Sequence, residues 1–416
     1  MLPVSAASGT GTRFVDALFT STSAVCVTGL VVHNTAAYWS VFGQVVILLL
    51  IQAGGLGIMT YATAHALVTG RRVTLKERIM IQEQMGYWSL SGLVGLMKEV
   101  ILFTLVFEAV GALVLGVAFS CSMGLEFGEA AFFGVFHSIS AFCNAGFDIT
   151  GSSLMECSGA PWIIIPISLL IILGGVGFYV IADLYSNKAK WGKLSLHTRV
   201  ALKMTVILLL VGTVFVYALE KDNPATIGNM SIGDKLLSSW FQSVTPRTAG
   251  FNSIATEGLR IPTAFFVILL MFIGASPGGT GGGIKTTTFY STFKFVVSSV
   301  RGQEDVNVSK RRLPRNLVTR ALVIVLLSIG LIVTSTLLLT ITEDAEFLDI
   351  LFEVVSAFGT VGLSRGLTPS LSDLGKIVLT ITMFAGRVGP LSFMIAIYRN
   401  SQKPNIRYPE ERVSVG

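Results

Sequence analysis

Charged residues are scarce in this sequence. Of its 416 residues, 13% are Asp, Glu, Lys or Arg, and 52% are hydrophobic. Soluble domains carry about 25% charged residues, so this composition excludes an ordinary soluble enzyme or binding domain. A lipid bilayer is the partner that such an apolar chain requires.

Cysteine and histidine, from which metal and catalytic sites are often built, are also few. The four cysteines show no metal-binding spacing: Cys26, Cys121, Cys143 and Cys157. The four histidines are scattered: His33, His65, His137 and His197. A metal ligand at His137 is a weak hypothesis, because no second ligand is spaced to help it, and a disulfide between Cys121 and Cys157 is a minor alternative. We expect no enzyme, no catalytic residue and no covalent cofactor.

Long polar segments are missing too. The longest are residues 301–316 and the tail 399–416, which leaves no room for a domain outside the membrane. Nucleotide or regulatory chemistry would therefore come from another polypeptide. The first residues also lack the charged start and apolar core of a signal peptide.

Apolar stretches of two lengths dominate the chain. A helix needs ~20 apolar residues to cross a bilayer, and seven stretches reach that length: 38–69, 95–120, 161–184, 198–219, 261–300 (interrupted), 317–341 and 375–398. Four shorter stretches can enter a bilayer without crossing it: 13–25, 128–142, 233–244 and 347–358. The sequence therefore predicts an all-α membrane protein with four re-entrant helices.

Each short stretch is followed by a glycine, and the residues before that glycine repeat. Phe352-x3-Ser356-Ala357-x4-Gly362 has the same spacing as the residues that lead to Gly146 and to Gly29, and a copy that leads to Gly250 is one residue shorter. Intervals of about 110 residues between these glycines indicate an internal repeat. We predict four pseudo-symmetric helix–pore-loop–helix units whose glycine loops meet at one axis, around one central ion pore.

The repeat sets the expected organisation of the chain. Repeat 1 covers residues 1–80, repeat 2 covers 81–195, repeat 3 covers 196–316, repeat 4 covers 317–400, and a cytoplasmic tail covers 401–416. Repeats 2 to 4 each begin with a full span, whereas repeat 1 does not. We therefore expect ~20 further apolar residues before Met1, lost by truncation or by a misplaced start.

Four glycine loops that face one axis suit a dehydrated monovalent cation. Backbone carbonyls replace its water shell without the charge of a carboxylate ring, and each short helix points its negative C-terminal end at the same place. Thr360-Val361-Gly362 also matches the start of the potassium-channel filter sequence. The predicted ion-binding carbonyls belong to Val27, Thr28, Gly29, Asn144, Ala145, Gly146, Thr248, Ala249, Gly250, Thr360, Val361 and Gly362.

The interrupted span contains Ala275-Ser-Pro-Gly-Gly-Thr-Gly-Gly-Gly-Ile-Lys285. This composition cannot hold a regular helix, and irregular backbone at membrane depth is tolerated where it is buried or lines water. A phosphate loop is excluded because an isoleucine separates the last glycine from the lysine. We predict a flexible obstruction below the filter, with a kinked packing helix as the alternative. The predicted gate residues are Gly278, Gly279, Thr280, Gly281, Gly282, Gly283, Lys285 and Arg387.

Three charged residues lie where a membrane disfavours them. Arg387 lies in the middle of the last span, where it is either half of a structural ion pair or a charge that faces the pore. We favour the pore-facing position, because gate carbonyls can accept its hydrogen bonds. Glu108 is expected to have a partner on another helix rather than a role in permeation. Arg247, close to the third glycine, is predicted to pair with Asp16 or Glu353, because a bare positive charge there would repel cations.

Positive charge is concentrated on one side of the predicted spans. The basic loops carry Arg71, Arg72, Lys76, Arg78, Lys188, Lys190, Lys193, Arg199, Arg301, Lys310, Arg311, Arg312, Arg315, Arg399, Lys403 and Arg407. The opposite loops carry Glu126, Asp148, Glu156, Glu220, Asp222, Glu343 and Asp344. Because Lys and Arg mark the cytoplasmic side, the glycine loops are expected to open outward, and the net charge of +6 needs no nucleic-acid partner.

The sequence resembles the Trk/Ktr/HKT superfamily of potassium transporters, most closely the KtrB-type membrane subunits of bacterial Ktr systems. The resemblance covers essentially the whole chain and is carried by Phe241-Gln-Ser-Val-Thr-Pro-Arg-Thr-Ala-Gly-Phe-Asn252, Leu270-Met-Phe-Ile-Gly-Ala275, Gly283-Ile-Lys285, Ser356-Ala-Phe-Gly-Thr-Val-Gly-Leu363 and Asn405-Ile-Arg-Tyr-Pro409. It implies filter glycines at the four repeat positions, a gate at 275–285 and a gating arginine at Arg387. In related transporters a serine at the first glycine accompanies sodium selectivity, so Gly29 implies potassium.

The resemblance further implies potassium uptake, aided by sodium, across a bacterial cytoplasmic membrane with the filter mouth outside. It implies a homodimer seated on a cytosolic KtrA-like ring that binds ATP or ADP. A Trk-type potassium/proton or sodium-linked transporter remains an alternative. An inverted-repeat secondary transporter is less favoured, because it would have a broken helix near the midplane but not four short helices ending in glycine loops on one side.

Overall fold

A computed structural model describes residues 1–57 and 93–390, together with the single positions 392, 409 and 411. Several predicted features lie outside these residues. They are the end of the first span (58–69), the basic residues at 71–78, most of the end of the last span, and the tail with residues 405–408.

The regular secondary structure of the described residues is almost all helix. Its helices are α1 (Phe14–Val25), α2 (Thr35–Tyr38), α3 (Val41–Leu56), α4 (Leu93–Met123), α5 (Phe127–Phe142), α6 (Pro161–Val176), α7 (Phe178–Ser186), α8 (Leu196–Glu220), α9 (Ile232–Val244), α10 (Ile261–Phe272), α11 (Thr286–Val300), α12 (Arg315–Thr342), α13 (Phe347–Gly359) and α14 (Asp373–Val388). Two short strands, β1 (Asn307–Val308) and β2 (Arg311–Arg312), pair antiparallel between α11 and α12. Single 3-10 turns cover Pro3–Ser5, Trp191–Lys193, Thr256–Gly258 and Thr368–Ser370.

The four predicted re-entrant helices are confirmed as α1, α5, α9 and α13, which we call the pore helices. Each begins and ends within one residue of its predicted bounds. The phenylalanine of the repeated motif is fully buried in every one: Phe19, Phe136, Phe241 and Phe352. Because these rings occupy equivalent positions, they anchor the four helices in the apolar core that each shares with its neighbouring spans.

Three of the longer helices, α4, α8 and α12, are each long and apolar enough to cross a membrane. Their outer faces carry exposed apolar side chains, for example Leu113, Val214 and Leu326. Continuous apolar surface of this kind marks contact with a membrane. The protein is therefore embedded in a membrane and crosses it more than once.

The predicted span 161–184 is built from two helices that are apolar enough to span together but are sharply bent at their junction. α6 ends at Val176, and α7 leaves it at an angle of 92°. Gly177, between them, has φ 102° and ψ 135°, a conformation that favours glycine. The next backbone N–H, of Phe178, donates to Gly278 O over 3.0 Å. Hydropathy could not indicate this bend, because the residues on both sides of it are apolar.

Two other predicted spans are shorter as helices within the described residues. The helix of the first span is α3, which ends before Gly57, and the helix of the last span is α14, which ends before Gly389. The predicted interruption of span 261–300 is confirmed, since α10 and α11 flank residues 273–285 without a helix between them.

The four helix–loop–helix units are joined edge to edge on the side of the glycine loops. Hydrogen bonds link consecutive outer loops: Asn34 Nδ2 to Gly151 O (2.6 Å), Asn252 N to Ser153 Oγ (2.9 Å) and Thr256 Oγ1 to Ser364 O (2.7 Å). The last joint connects the fourth unit back to the first, through Lys376 Nζ and Asp16 Oδ1 at 2.7 Å. The units therefore surround one axis, as the repeat predicted.

Candidate functional site

Each pore helix is tied to its glycine loop by the Ser or Thr that follows the buried phenylalanine. In the first and fourth loops the hydroxyl accepts from the glycine itself: Gly29 N donates to Ser23 Oγ and Gly362 N to Ser356 Oγ, both over 3.1 Å. In the second and third loops the hydroxyl donates to the carbonyl after the glycine: Ser140 Oγ to Phe147 O and Thr245 Oγ1 to Phe251 O, both over 2.7 Å. All four hydroxyl-bearing residues are buried, so each holds its loop at a fixed point.

The backbone of every loop alternates in handedness. The glycine and the residue two positions before it have positive φ, and the residue between them does not. The positive values are 57° and 88° at Val27 and Gly29, 60° and 68° at Asn144 and Gly146, 70° and 79° at Thr248 and Gly250, and 49° and 92° at Thr360 and Gly362. Alternating handedness turns successive carbonyls toward the same side of the chain. Positive φ at a β-branched residue is a strained conformation, which typically costs about 1–3 kcal/mol and is found at functional sites.

The four filter glycines pack against one another in a closed cycle. A Cβ added to any of them would collide with the carbonyl oxygen just before another: Gly29 with Ala145, Gly146 with Ala249, Gly250 with Val361, and Gly362 with Thr28. The last contact returns to the first loop. Because backbone fills the space where a side chain would begin, these positions admit only glycine without a shift of the neighbouring loop.

The structure therefore brings together all twelve residues that the sequence singled out around the four glycines. Eleven of them are buried, and Gly362 is half-buried. None of the twelve carries a charged side chain, and the polar atoms that all four loops present in common are main-chain carbonyls. Such an arrangement can replace the hydration shell of a small cation while adding no net charge.

The C-terminal ends of the pore helices approach this centre because glycines on the following helices make room for them. A Cβ at Gly54, Gly174 or Gly386 would collide with a carbonyl of the last turn of α1, α5 or α13. The negative end of a helix dipole stabilises a nearby cation. Close packing of these ends thus adds a second, uncharged source of cation stabilisation below the loops.

Residues 275–285, here called the gate segment, lie directly beneath the filter. The segment is held by backbone hydrogen bonds to α6, since Ser276 N donates to Gly175 O over 2.9 Å and Thr280 N donates to Gly174 O over 3.1 Å. The hydroxyl of Thr280 donates to Phe142 O, at the end of the second pore helix, over 3.1 Å. The segment is therefore a hydrogen-bonded, non-helical stretch below the glycine loops, and not the kinked packing helix of the alternative prediction.

Two basic residues bind the gate segment. Arg387, on α14, donates one hydrogen bond to Thr280 O and another to Gly54 O at the end of α3. Lys285 Nζ donates to Gly281 O over 2.6 Å, within the segment itself. Arg387 therefore connects three parts of the protein that meet below the filter: the first unit, the gate segment and the fourth unit.

The position of Arg387 in α14 explains why its side chain reaches the gate segment. It directly follows Gly386, which packs on the end of a pore helix. In the first two units the residues that follow the equivalent glycines are also glycines, Gly55 and Gly175. Of these three positions, the one in the fourth unit carries a long cationic side chain, whereas a Cβ at Gly55 in the first unit would already collide with Cys143.

The predicted partners of Arg247 are wrong. Its guanidinium is buried, and the acceptor that it has among the described residues is Thr205 O, at 3.5 Å. Asp16 instead pairs with Lys376, and Glu353 accepts hydrogen bonds from hydroxyl groups of the fourth outer loop. Arg247 follows the C-terminal end of α9, whose dipole stabilises a positive charge, so it needs no carboxylate.

Glu108 has the interhelical partner that was predicted. Gln52 Nε2, on α3, donates to Glu108 Oε2 over 3.1 Å, and the thiol of Cys143 lies 3.7 Å from Glu108 Oε1. His137 is fully buried, with Nδ1 2.8 Å from Phe133 O. Within residues 1–57 and 93–390, no group of three or more His, Cys, Asp or Glu residues is close enough to hold a metal ion.

Sequence reasoning missed three features of the site. The hydroxyls that hold the loops belong to the repeated motif, and their recurrence was the available signal. The residues with left-handed backbone, such as Val27, gave no signal because their side chains disfavour that conformation. The contact between the gate segment and the filter depends on how the units close, and spacing along the chain does not report it.

A profile described as "TrkH: Cation transport protein" matches residues 3–406 of this chain. The chain belongs to the TrkH family of cation transport proteins. The matched region includes the four glycine loops and the gate segment of this TrkH-family protein.

Curated relatives match the whole chain. It is 42% identical to the Ktr system potassium uptake protein B of Bacillus subtilis (strain 168), over 100% of this chain and 92% of the relative. It is 39% identical to the Ktr system potassium uptake protein B of Vibrio alginolyticus, over 100% of this chain and 90% of that relative. It is 37% identical to the potassium/sodium uptake protein NtpJ of Enterococcus hirae, over 100% of this chain and 92% of that relative.

The fold is also that of a solved structure. The crystal structure of the potassium transporter TrkH from Vibrio parahaemolyticus superposes with a TM-score of 0.74, covering 93% of this chain and 79% of that chain. Since the two sequences are 19% identical, this likeness shows the fold of the TrkH-family protein alone.

Proposed function

We propose that this protein mediates channel-like potassium uptake through a filter of backbone carbonyls. The observation that carries the proposal is the closed cycle of filter glycines, each packed against the carbonyl oxygen that precedes another. An uncharged oxygen cage compensates for lost water without binding the ion too tightly to release it. Potassium is favoured over sodium because all four filter positions are glycine, and because the curated relatives from Bacillus subtilis and Vibrio alginolyticus are named as potassium uptake proteins.

In this proposal the gate segment closes the pathway and Arg387 holds it closed. The segment lies beneath the filter, and backbone hydrogen bonds to Gly174, Gly175 and Phe178 hold it there, so opening would break these bonds as well. The guanidinium binds the carbonyl oxygens of Thr280 and Gly54, so opening requires these hydrogen bonds to exchange for others. A positive charge at this level also opposes a cation until it moves aside.

The filter mouth faces outside and the basic loops face the cytoplasm of a bacterial cell. Exposed basic side chains on that face support this orientation: Lys188, Lys190, Lys193, Lys310, Arg311 and Arg312. The same face is the surface on which a homodimer would sit on a cytosolic KtrA-like nucleotide-binding ring. Nucleotide then acts through the partner, and potassium is the transported ion.

The test of potassium uptake is growth and flux. Expression in a strain that lacks its own potassium uptake should restore growth at low external potassium, and Gly362→Ser or Gly146→Ser should abolish the rescue. Gly330→Ser is the matched control, because this glycine is exposed on α12 with open space where its Cβ would be; His137→Ala is a second control. Loss of rescue in Gly330→Ser equal to that in Gly362→Ser would contradict a role specific to the filter.

Sodium dependence, and the alternative of a Trk-type proton- or sodium-linked transporter, follow from a different measurement. The name of the Enterococcus hirae relative, a potassium/sodium uptake protein, favours a role for sodium. Rubidium uptake into proteoliposomes should rise with added sodium and should not require a proton gradient. Uptake that follows an imposed proton gradient at constant sodium would favour the Trk-type alternative instead.

A further inference from the structure

The left-handed residues at the start of the four filter loops differ in what their side chains contact. The amide of Asn144 and the hydroxyl of Thr248 form a hydrogen bond of 3.2 Å with each other. Val27 has no polar group to offer. Thr360 bonds to the gate segment, since the backbone N–H of Gly282 donates to Thr360 Oγ1 over 3.0 Å.

The contact between Thr360 and Gly282 is close and buried. A Cβ at Gly282 would collide with the Thr360 side chain, and a Cβ at the neighbouring Gly281 would collide with Thr248. Glycine at both positions lets the backbone of the gate segment press against the lower end of the filter. Thr360 is fully buried, so a lost hydrogen bond at Gly282 is not replaced by bulk water while the segment stays in place.

We propose that the hydrogen bond from Gly282 N to Thr360 Oγ1 is a latch that holds the gate segment closed against the filter and breaks when the segment moves aside. This inference rests on the proposed potassium uptake and adds a gating role for a filter side chain. Within the described residues, Arg387 donates a hydrogen bond to the carbonyl of Thr280, whereas Thr360 accepts one from the N–H of Gly282. One residue therefore holds a backbone acceptor of the gate segment, and the other holds a backbone donor.

The latch also couples the gate segment to the conformation of the filter. Thr360 holds φ 49°, and a strained residue of this kind persists only where its surroundings over-determine it. The bond from Gly282 is one of those surroundings. Release of the gate segment therefore allows the fourth filter loop to relax. Opening of the gate would then change the position of the carbonyls at the end of the filter that faces the gate segment.

Thr360→Val is the variant that removes the latch with the least change in shape. Valine is isosteric with threonine but accepts no hydrogen bond. The protein itself shows that valine tolerates this backbone, because Val27 adopts φ 57° at the equivalent position of the first loop. Thr360→Ser keeps the hydroxyl and should restore the wild-type behaviour.

The matched control is Thr382→Val, which removes one buried hydroxyl of the same unit away from the gate. Thr382 Oγ1 lies 2.9 Å from Ser335 Oγ, between α14 and α12. If Thr360→Val yields no folded protein, Thr360→Ala removes the same acceptor with a smaller side chain and takes its place.

Two readouts decide the matter in full-length protein reconstituted without a partner ring. Potassium leak from proteoliposomes should rise about fivefold in Thr360→Val, the ratio that one net hydrogen bond sustains, and hydrogen exchange of the peptide that contains Gly282 should accelerate by a similar factor. Thr382→Val should change neither. Wild-type leak and wild-type exchange in Thr360→Val would overturn the latch. The hydrogen-exchange measurement does not depend on potassium flux. If the wild-type protein carries no potassium, the proposed function is wrong, but hydrogen exchange in Thr360→Val still tests the latch.

Discussion

Asp16 and Lys376 form a buried ion pair between opposite ends of the chain. Asp16 Oδ1 lies 2.7 Å from Lys376 Nζ, and their side chains are 5% and 7% exposed. Asp16 belongs to the first pore helix and Lys376 to the last helix, so the pair closes the circle of four units. His33 Nε2, in the outer loop after the first filter glycine, lies 3.4 Å from the other carboxylate oxygen.

Asp16→Asn should destabilise the protein strongly. Removing one partner of a buried pair leaves an uncompensated charge, which typically costs about 3–5 kcal/mol. The double variant Asp16→Asn/Lys376→Met should recover most of that loss, because it buries no charge. Thermal unfolding of the purified protein in detergent measures both effects.

The control for this pair lies at the N-terminal ends of the same two helices, where Arg13 immediately precedes α1 and Asp373 begins α14. Arg13 Nη2 is 2.5 Å from Asp373 Oδ2, but the side chains are 65% and 47% exposed. Exposed pairs contribute roughly 0–1 kcal/mol, so Asp373→Asn should barely change the unfolding temperature. A double variant as unstable as Asp16→Asn alone would contradict this account of the buried pair.

Ser356→Ala should weaken ion selectivity more than it weakens the fold. The substitution leaves the N–H of the half-buried Gly362 without its acceptor at 3.1 Å, which costs about 1 kcal/mol, the lower end of the range for an unsatisfied donor. The fourth loop then samples other conformations, and the ratio of potassium to sodium flux should fall. Ser328→Ala is the control, because this buried hydroxyl on α12 donates to Ile324 O within its own helix. An unchanged flux ratio in Ser356→Ala would show that the hydroxyl does not position the filter.

Arg387→Met should increase potassium leak through the closed protein. Methionine has a similar reach but donates to neither Thr280 O nor Gly54 O. Arg387→Lys keeps the charge with a single nitrogen that cannot hold both carbonyls in a fork, so its leak should be intermediate. Flux into proteoliposomes at fixed protein density measures the order, and a leak in Arg387→Lys equal to wild type would assign the effect to charge alone.

Arg247→Met should leave the unfolding temperature unchanged or raise it. The Arg247 guanidinium is buried, with no carboxylate partner in residues 1–57 and 93–390. Replacing a buried charge by a well-packed apolar side chain is often neutral or stabilising. The contrast with Asp16→Asn is the useful comparison, since both residues are buried and charged. The substitution leaves the negative C-terminal end of α9 without a cation. A large loss of stability in Arg247→Met would mean that the attraction between the guanidinium and this helix end outweighs the cost of burying the charge.

Cys157 should react with an external maleimide slowly at neutral pH and faster as the pH rises. Burial, followed by the charge of Glu156, raises the pKa of the Cys157 thiol above its usual value of 9.0. Because the thiolate is the reactive form, the rate should increase about tenfold per pH unit up to that raised pKa. Cys121 is exposed and should label readily. Labelling of both on intact cells also tests the outward orientation, and labelling only after the membrane is permeabilised would reverse it.

The positions of the pore helices could be predicted because composition alone sets them. A stretch such as 347–358 is too short to cross a bilayer, and its repetition before Gly29, Gly146 and Gly250 leaves few arrangements other than a ring. The break at 275–285 could be predicted for the same reason, since glycine and proline exclude a helix locally. Each of these predictions uses only residues that are close together in the sequence, so it does not require knowledge of the tertiary fold.

The amino-acid sequence by itself determined which segments enter the membrane, which glycines end them and where regular helix is impossible, because these properties are local to each segment. Only the tertiary structure decided the partner of Arg247, the bend at Gly177, the pairing of Asp16 with Lys376 and the bond between Thr360 and Gly282. Each of those features depends on residues at least 42 positions apart in the chain. Their geometry follows from how four similar units pack around one axis, and no local pattern of side chains records that packing.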